Sequence, residues 1–122
     1  MRKRHGIMLT AIGLALLGSV LFSISFVNAG VLFRDYDKVK KMEWFKTYIE
    51  GVGIGLSLAN AKMRALGVAP LYCQPGKLVL QSENYLDILE RFIQEKKNKI
   101  SPETPIEPFL LEGLIEIFPC NK

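Results

Sequence analysis

The amino-acid sequence predicts an all-α fold: a small compact bundle of three to five helices held by one disulfide, after a cleaved signal peptide. Three observations carry this expectation. Apolar residues recur at steps of three and four over residues 39–66 and again in two later segments. Each segment is bounded by residues that start and stop helices. The one short stretch with extended character, Lys77 to Leu80, has no second strand to pair with. At 122 residues the chain holds one small domain, since a single core takes about 100 to 150 residues. A multidomain enzyme is excluded.

The first element is a leader, residues 1–29. Arg2, Lys3 and Arg4 precede an uncharged run from Ile7 to Val27, and Val27-Asn28-Ala29 offers the small and apolar pattern of a signal-peptidase site. The alternative reading is an uncleaved anchor, because a run of this length approaches the roughly 20 residues that span a bilayer. Either reading exports residues 30–122 to the periplasm and confines any membrane contact to the leader. Setting the leader aside removes three of the 16 basic residues and the only histidine, His5, while all 12 acidic residues remain. The net charge of +4 thereby falls to about +1, which leaves no electrostatic footprint for nucleic acid.

From Asp35 or Asp37 as cap, a helical stripe runs through Val39, Met42, Phe45, Ile49, Val52, Leu56, Ala59, Met63 and Leu66. Unbroken, it would reach about 42 Å, so a bend is expected, with Gly51, Gly53 and Gly55 weakening its centre. Gly51 and Gly55 share a face and are read as a site of close helix packing. Gly67 and Pro70 end the helix, and a connection with a turn at Pro75-Gly76 follows. Ser82 is read as the cap of a second helix with acids early and Lys96, Lys97 and Lys99 late, in accord with the helix dipole. A proline-rich linker leads to a third helix. There Thr104, Pro105 and Glu107 have capping-box spacing, and Pro119 stops the helix near Phe118.

Chemistry is sparse. Cys73 and Cys120 are the two cysteines of an exported domain, and an even pair in that compartment reads as a disulfide worth about 4 kcal/mol. A catalytic thiol needs a histidine, and none lies beyond the leader. No ligand set suits a metal, and no cofactor is implied. Asp87 with Glu90, and Glu112 with Glu116, each share a helical face as an acid-base pair would, but so does any solvated face. The expectation is a non-enzyme that acts by covering another protein. Its contact surface is expected to combine Lys99, Ser101, Glu103 and Thr104, polar and stiffened by prolines, with the exposed face of Glu112 and Glu116.

Residues 42–120 carry, in order, Thr47-Tyr48-Ile49-Glu50-Gly51-Val52-Gly53-Ile54-Gly55-Leu56, then Cys73-Gln74-Pro75, a helix led by Tyr85-Leu86, and Phe118-Pro119-Cys120. This order of motifs resembles that of the Tai/Rap immunity proteins, which protect Gram-negative bacteria from type VI secretion amidase effectors. It implies a periplasmic helical protein, often a homodimer, that binds a peptidoglycan amidase and covers its cysteine-histidine active site. The alternative is a small periplasmic acid-stress chaperone or another non-catalytic protein-binding domain. With no histidine in residues 30–122, such a chaperone would sense acid through carboxylates, near pH 4 or below.

Overall fold

The helical period that starts at Tyr36 breaks at Met42 rather than at the glycines. In the computed structural model, which describes residues 30–120, a short helix α1 spans Tyr36–Val39, and Met42 then turns to extended dihedrals and starts α2, Glu43–Ala65. The bend expected near Gly51–Gly55 is thus displaced to residues 40–42, and the glycines stand inside a continuous helix. The 23 residues of α2 extend about 34 Å. Gly67, at φ +70°, takes the left-handed conformation that closes α2, with Val68 N–H donating back to the Met63 carbonyl at 2.9 Å.

Helix α3, Ser82–Lys96, is capped by Gln81 and not by Ser82: Gln81 and Asn84 exchange side-chain and backbone hydrogen bonds, while Ser82 is buried. Helix α4, Glu107–Ile117, starts with Ile106 as its cap residue and Pro108 in its first turn. The capping box expected at Thr104 does not form, because Glu107 is engaged elsewhere. Its Oε1 accepts Val31 N–H at 2.8 Å and the hydroxyl of Tyr48.

The four helices, with no strand among the described residues, make a small bundle in which α3 packs on both α2 and α4. Phe45 and Ile49 from α2, Leu89 and Ile93 from α3, and Ile106, Leu110 and Leu114 at and in α4 are its fully buried centre, with Tyr72 closing one end. Two glycines permit the close approach. A Cβ on Gly53 would lie 2.6 Å from the Tyr85 ring, and one on Gly113 would lie 2.8 Å from Ile88 Cγ2. Gly51 and Gly55 do not serve this purpose within the fold: a Cβ on either meets nothing within 4 Å. They lie on the face of α2 that points away from the core, two positions out of phase with Gly53.

The N-terminal segment is laced to the linker before α4. Phe33 N–H donates to the Thr104 carbonyl at 2.8 Å, Arg34 N–H to that of Pro102 at 3.0 Å, and Ile106 N–H to that of Val31 at 2.9 Å. Cys73 and Cys120 form the disulfide across a sequence separation of 47, and Cys73 N–H donates to the Phe118 carbonyl at 2.7 Å beside it. The leader lies outside the described residues. Among those described, no helix is long and apolar enough to cross a membrane.

Two tyrosines make the fold sensitive to alkali. Burial, and then the hydrogen bond to Glu107, push the Tyr48 phenol up to about 12. Burial, and then the charge of Glu90, push Tyr36 up to about 12 as well. The folded value exceeds the unfolded one of about 10, so the stabilisation is complete below pH 10 or so and is lost as pH rises towards 12. Thermal melts followed by circular dichroism should hold steady from neutral pH to about 10 and fall steeply above it. In Tyr48→Phe that slope should flatten. A melting temperature that stays level across this window would contradict the assignment.

Candidate functional site

The connection between α2 and α3, residues 66–81, carries no regular structure, yet it is fixed at several points. Asn60, buried at 3% exposure, is its main anchor. The Asn60 side-chain amide donates to the Tyr72 carbonyl at 2.8 Å, and its oxygen accepts Leu71 N–H at 2.7 Å. Arg64 adds a second donor to the Tyr72 carbonyl at 3.2 Å. The Tyr72 ring is buried, with its hydroxyl 3.2 Å from Ser57 Oγ, which also lies 3.5 Å from the Tyr85 hydroxyl. Leu78 N–H donates to the Pro75 carbonyl at 2.9 Å, closing the turn at Gly76-Lys77. The disulfide holds the middle of the connection to the segment just past α4.

What this anchoring holds outward is apolar. Leu66, Val68, Leu71, Leu78 and Val79 are all exposed, Val79 at 79%. Between α2 and the connection lies an open recess of about 180 Å³, bounded by Ser57, Ala61 and Arg64 on the helix and by Tyr72, Gln74 and Leu78 opposite. No carboxylate lines it, and Arg64 makes no ion pair among the described residues. A guanidinium beside hydroxyls, with Leu78 opposite, is suited to holding a peptide segment with an acidic or carbonyl group.

Asn60→Leu should be costly, since it leaves the Leu71 N–H without a partner. The expected loss is about 1–3 kcal/mol, read as a lower midpoint in urea, together with faster exchange of the Leu71 amide. If that amide exchanged no faster, Asn60 would not be the anchor.

The residues expected to make the contact surface are divided by the structure. Lys99 closes a 3-10 turn, Lys97–Lys99, after α3, while Ser101, Glu103 and Thr104 lie in the linker that is laced to residues 31–34. Glu103 pairs with Arg34 at 2.5 Å. Thr104 is half-buried, and its carbonyl is committed to Phe33. Glu112 and Glu116 are exposed on α4, and Glu116 lies 3.4 Å from Lys96. The linker is therefore a brace between the N-terminal segment and α4, and of its expected contact residues Lys99, Ser101 and Glu103 project into solvent. Of the carboxylates considered for acid-base work, Asp87 is exposed, and Glu90 is exposed with its Oε1 3.5 Å from Lys40. Among the described residues no three His, Cys, Asp or Glu side chains are grouped so as to hold a metal ion.

Neither Asn60 nor the recess is among the features that composition, periodicity and motif spacing single out. One signal was present: an asparagine four residues after Leu56, on the turn where the apolar stripe should continue. Compared with protein-family models, with curated proteins and with solved structures, the chain matches none.

Proposed function

We propose that this chain is a periplasmic immunity protein that binds a peptidoglycan amidase effector of type VI secretion and occludes its active site, so that the producing cell and its sisters escape lysis. The observation that carries the reading is the connection 66–81, an apolar surface fixed from beneath by Asn60, Tyr72 and the disulfide. An occluding protein needs no reactive group. It needs a surface already in its binding shape, because ordering a flexible segment on association costs about 0.5–1.5 kcal/mol per side chain. Arg64 at the recess is of a residue type enriched among binding hot spots. The resemblance in Thr47–Leu56, Cys73–Pro75 and Phe118–Cys120 supplies the class of partner.

The test is to export a small cysteine-histidine amidase from the neighbouring reading frame into a periplasm with and without this chain. Survival and co-purification are the expected results. Arg64→Glu with Leu78→Glu should weaken the complex at least about tenfold, whereas Lys99→Ala with Glu103→Ala should do so only if the linker makes the contact. Undiminished lysis with no complex would overturn the proposal. Suppression of client aggregation at low pH without amidase binding would favour the chaperone reading instead.

A further inference from the structure

Glu107 is a carboxylate fixed in place without a counter-charge. It is half-buried at the start of α4, where its Oε1 accepts Val31 N–H at 2.8 Å and the Tyr48 hydroxyl. Among the described residues Oε2 accepts no hydrogen bond, and no lysine or arginine pairs with either oxygen. Taking a carboxylate out of water is costly, and a cation beside it offsets the cost. The group beside it is Gly30. A Cβ built on Gly30 would lie 2.9 Å from Oε2 and 3.1 Å from Oε1, close for a carbon but the ordinary separation of an ammonium nitrogen from a carboxylate.

In the leader reading, signal peptidase cuts after Ala29. Water gives its hydroxyl to the Ala29 carbonyl carbon and a proton to the Gly30 nitrogen as the peptide bond breaks. The freed α-amine takes up a further proton at neutral pH, since such amines titrate near 8 or so. Until the cut, that nitrogen is tied to Ala29. Afterwards it turns freely about the single bond between Cα and the carbonyl carbon of Gly30. On a tetrahedral Cα, a turn of about 120° carries the nitrogen to the place a Cβ would take, at nearly the same bond length. Glycine leaves that place empty. The ammonium thus reaches both oxygens of Glu107 while Val31 and α4 stay where they are.

We infer that Glu107 is the receiving site for the α-ammonium of Gly30, and that removal of the leader completes the fold by forming this ion pair. The approach is prepared on both sides. Leu32 bridges Pro105 in antiparallel fashion, and Phe33 and Arg34 donate to the linker carbonyls, so residue 30 is delivered beside α4. Tyr48 and Val31 hold the carboxylate ready. The pair also gives Glu107 a use that its forgone capping box would not. The inference rests on the leader reading and is independent of the amidase reading.

The test uses the exported, processed protein and a second form with Gly-Ser inserted between Ala29 and Gly30, so that the same cut leaves the amine two residues away. N-terminal sequencing should find Gly30 first in the parent. In urea at neutral pH the insertion should raise the unfolding equilibrium constant about tenfold, the worth of a hydrogen bond to a charged group. In a Glu107→Gln background, which keeps an acceptor for Val31 and Tyr48, the insertion should change it less than twofold. The Gly30 amine should also be acylated several-fold more slowly than the amine of the inserted form. Should Glu107→Gln fail to fold, those two acylation rates decide alone. A different first residue, an insertion without cost, a cost undiminished in Glu107→Gln, or equal acylation rates would each overturn the inference. Amidase binding unchanged by the insertion would leave the proposed function standing on its own.

Discussion

Reducing the Cys73–Cys120 bond is expected to lower the melting temperature by roughly 15–30 °C. Opening a closed loop of 47 residues restores chain entropy to the unfolded state, worth about 4 kcal/mol. A small domain has only about 5–15 kcal/mol of stability in all, and for its size each kcal/mol moves the melting point by about 4–8 °C. What remains at that end is the hydrogen bond from Cys73 N–H to Phe118 and the anchoring by Asn60, neither of which ties residues 73 and 120 covalently. Thermal melts with and without reductant measure the effect. The variant carrying Cys73→Ala and Cys120→Ala should melt near the reduced parent and ignore reductant. A parent whose melting point moves by only a few degrees on reduction would show that helix packing alone carries the fold. In the proposed function the same reduction frees the connection 66–81, so partner affinity should fall along with stability.

Two glycines in α2, two residues apart, should respond to substitution with opposite sign. Gly53→Val is expected to destabilise by about 3 kcal/mol, near the top of the overpacking range. The added carbons enter the Tyr85 ring, three of whose atoms lie 2.6–2.7 Å from where a Cβ would stand. That ring has little freedom to move: it is buried, and its hydroxyl lies 3.5 Å from Ser57 Oγ. Gly55→Ala meets open space and should stabilise the helix by about 0.8–1 kcal/mol. Urea unfolding at concentrations below any self-association separates the two. If both substitutions moved the midpoint the same way, the orientation of α2 would be wrong.

The helices were legible because their signals are local. Gly67 and Pro70 stop α2, Pro119 lies just past α4, and the apolar residues Phe45, Ile49, Leu89, Leu110 and Leu114 fall on stripes whose inward side the period alone assigns. Cap identities were less legible, because a cap is chosen by competition. Glu107 has the spacing to cap its own helix, but it serves Val31 and Tyr48 instead, partners 76 and 59 residues away. The glycines were misread for a related reason. Spacing grouped Gly51 with Gly55 on one face, but which face of α2 turns inward depends on where Tyr85 of α3 comes to rest, and Gly53 alone leaves room for it. The disulfide was readable from two cysteines and a leader. The recess was not, since it exists only once Asn60 has drawn the Tyr72 backbone against the helix.

The lacing of residues 31–34 to residues 102–107 bears on the order in which the protein is made. Ile106, Leu110 and Leu114 are among the most deeply buried side chains, and the first described segment closes against the linker that precedes the last helix. A polypeptide emerging N-terminus first has no place to put Phe45, Ile49 or Leu89 until residue 114 or so has followed. Closure of the native core therefore waits for nearly all of the described segment. The bond between Cys73 and Cys120 then locks a structure whose centre only the last helix completes.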